Sequence, residues 1–288
     1  MYYYILGDGV VAAGATFTGL ASLMTRNELT KLLHAAKVSW LFAEPDLLDE
    51  ALLAAIEVGM DVSHVLAFDP PGLPAYSGPQ TAFSQLLMND EYAWKASKGA
   101  QGGQQKTCFR LLTSGTTGVP KAAEIPHAAQ IARIQSLGLF RRGPPSEVKF
   151  LQVVSMYHLT GLFASNAAVM RAHKAYITAR SDARSIIDSI QLHSITRTLL
   201  PPHTMEEITQ TIKAGYKSRD ALSTLREVII AGSIARQDSL VEFNSLWPDA
   251  VLSAPYGSTE TGTLTFVPPN IPSIPGYVGV LAPGVEIQ

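Results

Sequence analysis

Short apolar runs with strand character recur along this chain, and stretches of helical periodicity separate them. Such a chain can bury its runs only by packing helices against sheets, so the alternation predicts an α/β fold with β-sheets flanked by helices. The first clear helix opens at Thr25-Arg26-Asn27-Glu28, where the Thr-x-x-Glu spacing satisfies two otherwise unpaired backbone N–H groups. Leu29, Leu32, Leu33 and Ala36 then follow at helical spacing. Residues 39–43 read as a strand, 46–58 as a second helix ended by Gly59, and 62–68 as another strand. A Pro- and Gly-rich loop at 69–79 and a short helical piece at 81–88 lead into the most polar stretch, 89–106, a candidate mobile loop or subdomain boundary. Further strands are expected at 107–113, 149–154, 175–178, 195–200, 225–231 and 250–254. No internal repeat of fixed period is present.

Composition narrows the function. Lys and Arg number 22 against 24 Asp and Glu, a net charge of −2 in 288 residues. That balance lacks the clustered basic charge that nucleic-acid backbones require, and no polybasic run points to a membrane surface. Charged residues make up 16 %, below the roughly 25 % of an average domain. That fits either a large buried core or a surface partly covered by a partner. The single cysteine, Cys108, excludes an internal disulfide or a cysteine zinc site, and its apolar neighbours place it in a core. The opening MYYYILGDGVVAAG has no basic residue ahead of its apolar stretch and is interrupted by Asp8, which makes a poor signal peptide. The uncharged stretch 9–25 is too short for a helical membrane span. An intracellular, cytoplasmic location is expected, with a peroxisomal one left open.

The most informative stretch is Leu112-Thr113-Ser114-Gly115-Thr116-Thr117-Gly118-Val119-Pro120-Lys121. It sets four hydroxyl residues, two glycines and a lysine in one compact loop after a strand. Glycines let backbone N–H groups converge on an anion, hydroxyls add neutral donors, and the lysine brings a full charge to phosphate oxygens. The spacing fits neither the P-loop pattern nor the Gly-x-Gly-x-x-Gly dinucleotide fingerprint.

In this order of residues the chain resembles the adenylate-forming superfamily of acyl- and aryl-CoA ligases, insect luciferases and nonribosomal peptide adenylation domains. Thr113 to Lys121 matches that family's phosphate loop throughout, with Ala122 standing where a glycine is usual. The resemblance implies that Thr113, Ser114, Gly115, Thr116, Thr117, Gly118 and Lys121 hold ATP phosphates. Tyr256-Gly257-Ser258-Thr259-Glu260 is similar to the family's Tyr-Gly-x-Thr-Glu motif. There the tyrosine stacks on adenine, the threonine hydroxyl meets the α-phosphate and the glutamate carries Mg²⁺. Alone, Tyr256 reads as a core aromatic. Met156-Tyr157-His158-Leu159-Thr160-Gly161 resembles the aromatic-His-x-x-Gly segment whose histidine shapes the acid pocket. No carboxylate follows Tyr157 to pair with an α-ammonium group, which favours an acyl or aryl acid over an amino acid. Ala231-Gly232-Ser233-Ile234 resembles the small-residue segment beside adenine, and Gly232 and Ser233 are implied to line the substrate pocket with His158.

The implied activity is conversion of a small carboxylic acid to an acyl-adenylate with ATP and Mg²⁺, and then to a thioester with CoA. Lys121, Thr259 and Glu260 are the catalytic candidates. The resemblance runs through 1–288 as one AMP-binding large domain, incomplete at both ends. The Thr-Gly-Asp segment and the C-terminal lysine of relatives have no counterpart here, so impaired turnover is expected. The alternative is a nucleotide-binding or interaction protein, or a truncated product, that catalyses nothing.

Overall fold

The computed structural model describes residues 2–22, 24–87, 105–113, 121–138, 147–178, 180–268, 274 and 276–286. Two compact units divide the chain, 1–127 and 128–288. The stretch 88–104, most of the candidate boundary at 89–106, lies outside the described residues.

The first unit opens with helix α1 (Tyr2–Ala12). Its glycines disfavour helix by about 1 kcal/mol each, but a Cβ at Gly7 would stand 3.3 Å from the ring of Phe17, so the glycine leaves room for that ring to pack. Helix α2 (Arg26–Ala35) begins at Thr25 with the capping box that its sequence announces. Strands β1 (Leu41–Ala43) and β2 (Val65–Ala67) pair in parallel, joined through helix α3 (Leu48–Glu57). Ala51, Ala54 and Ala55 let α3 lie close on this pair, and Leu33, Leu41, Leu48 and Val65 complete the core. The expected strand at 62–68 starts three residues late. The Asp61 carboxylate accepts from the Ser63 N–H and winds 62–64 into a 3-10 turn instead. A short helix α4 (Phe83–Leu86) follows, and Asp69, buried, accepts from the N–H groups of Tyr76 and Ser84 and from the Ser84 hydroxyl. Strands β3 (Thr107–Thr113) and β4 (Lys121–Pro126) then form an antiparallel hairpin, with the Cys108 thiol buried on its inner side.

The second unit takes in helix α5 (His127–Gly138) from Ala128 onward and is built on five parallel strands. These are β5 (Lys149–Gln152), β6 (Lys174–Ile177), β7 (Arg197–Leu200), β8 (Glu227–Ile230) and β9 (Val251–Ser253). Their order in the sheet is β6-β5-β7-β8-β9. Helices α6 (Leu159–Met170), α7 (Ala183–His193), α8 (Pro202–Lys213) and α9 (Gln237–Leu246) make the crossovers. Because successive residues of a strand point to opposite faces, Leu151, Leu200, Val228, Ile230 and Leu252 pack under α7, α8 and α9, whereas Phe150 and Leu199 pack with Ala168 of α6. Two small antiparallel pairs close the unit, β10 (Gly257–Ser258) with β11 (Gly262–Thr263) and β12 (Thr265–Phe266) with β13 (Val280–Leu281). Among the described residues no helix is long and apolar enough to cross a membrane.

Candidate functional site

The winding of the five-stranded sheet reverses between β5 and β7, since β6 is laid on one side of β5 and every later strand on the other. In open parallel sheets such a reversal leaves a crevice at the carboxyl ends of the strands, where ligands bind. Three of the sequence motifs leave the sheet at that end. β5 leads to Tyr157 and His158, β8 to Gly232 and Ser233, and β9 to Tyr256. β8 and β9 are neighbours, while β5 is two strands from β8, about 10 Å at the usual strand spacing.

At the end of β5 the chain turns back under the first residues of α6. Gly161 makes this turn feasible: a Cβ there would fall 2.2 Å from the Ser155 carbonyl oxygen. His158 occupies the cap position of α6 without its ring capping the helix. The imidazole is exposed beside the Tyr157 ring, at 4.3 Å between centroids, and the partial burial it does have pushes its pKa down, which favours the neutral form. Below it the buried Gln152 amide donates to the Val154 carbonyl at 2.6 Å. Its Oε1 has no hydrogen-bond partner among the described residues.

After β8, Gly232 takes a φ of +103°, which a side chain would strain, and Gly232, Ser233 and Ile234 all stand exposed, Ile234 at 95 %. After β9 comes Tyr256, whose ring is 59 % exposed. That exposure sets aside the alternative of a core aromatic. Its backbone is held while its ring is left open: the Tyr256 N–H donates to Thr265 Oγ1 at 2.8 Å, and its carbonyl accepts from Leu264 at 2.8 Å. Gly257, Ser258, Thr259 and Glu260 then form the β10–β11 hairpin. A Cβ on Gly257 would lie 2.2 Å from the Gly262 carbonyl oxygen, so the second residue of the motif must be glycine. Ser258 and Thr261 lock the loop through reciprocal N–H to hydroxyl bonds, each of 3.2 Å. The Glu260 carboxylate is exposed and makes no hydrogen bond or ion pair among the described residues.

The phosphate loop belongs to the first unit. Thr113 and Lys121 are register partners at the loop end of the β3–β4 hairpin, and Thr113 Oγ1 donates to the Lys121 carbonyl at 3.5 Å. The base of the loop is thus pinched shut. Lys121 is exposed and its ammonium has no ion pair among the described residues. Ser114, Gly115, Thr116, Thr117 and Gly118 lie outside the described residues. Ala122 sits in regular strand pairing with Leu112, without the left-handed φ that would demand glycine.

No cluster of three or more metal-ligating side chains occurs among the described residues. A magnesium ion does not need one, because it is commonly held by one or two carboxylates together with substrate phosphates. Glu260, exposed and unpaired among the described residues, fits that donor set. Sequence reasoning missed Arg133, on α5, whose Nη2 donates to the carbonyls of Glu260 at 3.1 Å and Thr259 at 3.3 Å. One arginine on a helix gives no local signal that its partners lie more than a hundred residues away.

The family model described as "AMP-binding enzyme" matches residues 2–288. The chain belongs to that family. Among its curated relatives, the phenylacetyl-CoA ligase of Aspergillus niger is 25 % identical over 100 % of this chain and 54 % of its own length. The nicotinic acid-CoA ligase of Aspergillus fumigatus is 26 % identical over 97 % of this chain and 51 % of its own. The chain thus spans about half the length of the curated relatives it matches. Among solved structures, ATP-bound MatB from Rhodopseudomonas palustris superposes with a TM-score of 0.82 at 23 % identity, over 99 % of this chain and 53 % of that one. A luciferase-like enzyme from Zophobas morio superposes at 0.79 with 19 % identity, over 94 % of this chain and 62 % of that one. These likenesses show the fold.

Proposed function

We propose that this chain holds the nucleotide in an acid–CoA ligase of the adenylate-forming type. A carboxylate oxygen of the acid attacks the α-phosphorus of ATP, the bond from that phosphorus to the bridging oxygen breaks, and pyrophosphate leaves. The CoA thiol then attacks the acyl carbon, releasing AMP and the thiol proton. The observation that carries this reading is the emergence of three motifs at the carboxyl ends of β5, β8 and β9, beside the reversal of winding.

In this reading the exposed Tyr256 ring stacks on adenine, with Gly232 letting the base approach backbone. The Thr259 hydroxyl donates to the α-phosphate. Lys121, with Thr113, Ser114, Gly115, Thr116, Thr117 and Gly118, neutralises the departing pyrophosphate, a role that depends on positioning and charge. Glu260 would hold Mg²⁺, which supplies further charge neutralisation when bound. His158, neutral, lines the acid pocket with Gly232 and Ser233. Residues 153–160 contain no carboxylate for an α-ammonium group, which supports an acyl or aryl acid. The named substrates of the two fungal relatives are aromatic acids, which favours the aryl branch. A partner is proposed for exposed apolar residues such as Ile234, Leu192 and Met170.

The test is titration of the purified chain with MgATP, followed by ATP–pyrophosphate exchange against aryl, fatty and α-amino acids. Magnesium-dependent ATP binding, with exchange driven by an aryl or fatty acid, is the expected result. Exchange that requires an α-amino acid would refute the substrate class. Binding without exchange would leave the non-catalytic alternative, and no binding at all would remove the nucleotide reading.

A further inference from the structure

The β10–β11 hairpin carries Thr259 and Glu260 on a loop of three residues, 259–261, supported by strands of only two residues each. A hairpin that short is marginal by its own ladder. What steadies it from outside is Arg133, which reaches from α5 and sets one guanidinium nitrogen between two successive carbonyls, Thr259 O at 3.3 Å and Glu260 O at 3.1 Å. Gly262 shows that the fit is close. A Cβ there would stand 2.5 Å from Arg133 Nε and 3.1 Å from its Cδ, and the residue's φ of +75° independently excludes most side chains. The arginine takes the backbone oxygens and leaves the Glu260 carboxylate exposed and unpaired among the described residues.

We propose that Arg133 is a positioning residue for Glu260, fixing the loop so that the carboxylate is preset for the divalent cation of a bound nucleotide. The proposal rests on the nucleotide reading of the hairpin. It also makes a claim about sign. A positive guanidinium near a cation site repels the cation, so a purely electrostatic role predicts tighter Mg²⁺ binding once Arg133 is neutralised. A positioning role predicts the opposite, because residues that orient a metal ligand cost about 10–100-fold in metal affinity when removed.

Two measurements on the full chain decide the matter. In the absence of nucleotide, hydrogen exchange of segment 256–263 is followed for wild type, Arg133→Gln and Arg133→Lys. In its presence, the Mg²⁺ concentration for half-maximal ATP binding is measured on the same proteins. Faster exchange in Arg133→Gln is expected, with a rise in that Mg²⁺ concentration of about ten-fold. Arg133→Lys, whose ammonium can bridge the same two carbonyls, should recover most of both. Should Arg133→Gln show no melting transition, Arg133→Met, which keeps the apolar stem and removes the donors, is read in the same way. Unchanged exchange in segment 256–263, or an unchanged or lowered Mg²⁺ requirement, would overturn the proposal. If wild type binds no MgATP, the nucleotide reading falls and the cation role with it, while the exchange rates still decide whether Arg133 fixes the loop.

Discussion

Gly161 lies in the first turn of α6, where an alanine would ordinarily favour the helix by about 1 kcal/mol. Here the added Cβ meets the Ser155 carbonyl, and overpacking costs about 1–3 kcal/mol. Gly161→Ala is therefore expected to lower the urea midpoint, and a raised midpoint would contradict the described turn. Asp69 offers a test through pH. Burial alone would raise its carboxyl, but the donors on Ser84 and Tyr76 outweigh burial and hold it below the usual carboxylate range. A group whose folded pKa is depressed gives its full stabilisation above its unfolded value, about 3.9, and loses it as pH falls through the lower folded value. Asp69→Asn should flatten that acid limb and destabilise the chain at neutral pH by about 1–3 kcal/mol, the cost of poorly satisfied buried donors. Unfolding curves from about pH 1 to pH 7, which span the loss of a depressed carboxylate's contribution, would show it. At the proposed site, Lys121→Ala is expected to slow adenylation about 10²–10³-fold with no change in melting temperature. An unchanged exchange rate would remove Lys121 from the phosphate site.

Helix α7 shows how an element records its own burial. Ile186, Ile187 and Ile190 are fully buried against the sheet, and Ile187→Ala should cost about 2–5 kcal/mol, read as a lowered urea midpoint with an unchanged slope. Elements of this kind were legible, because a helix that buries one stripe writes the stripe at helical spacing. Each of the six apolar runs after residue 106 overlaps a strand: 107–113 matches β3, 175–178 is one residue late on β6, and in the other four the paired portion is shorter, as at 149–152 within 149–154. Strand ends are set by partners across the sheet, which spacing along one chain does not reveal. For the same reason β4, whose residues 121–126 do not form an apolar run, went unread, and so did the two-residue strands β10 to β13, since a pair of residues has no period. Within the site, the motif residues were legible because glycine is compulsory at 161 and 257, where backbone crosses backbone. Arg133 and Gln152 were not, since each acts through contacts that local sequence does not encode.

At the scale of the whole molecule, a family match that runs from residue 2 to residue 288 includes both compact units. The reversal of winding that opens a crevice in the second unit also dictates the order in which its sheet can assemble during synthesis. β5 is made first, and β6 can cover one of its edges as soon as α6 has folded. The other edge belongs to β7, whose first residue follows the end of β5 by about 45 positions, roughly 2–9 seconds of translation at ordinary rates. Until then Phe150 and Leu151, central in the finished sheet, border an open strand edge of the kind that recruits other chains. In the finished molecule that exposure passes to β6, which is short and begins with the exposed Lys174. Nascent chains halted near residue 190 are accordingly expected to aggregate more readily on release than chains halted beyond β9, as read by sedimentation. The same fold that gathers the site at one end of the sheet gives the growing chain an interval in which its central strand is a sticky edge.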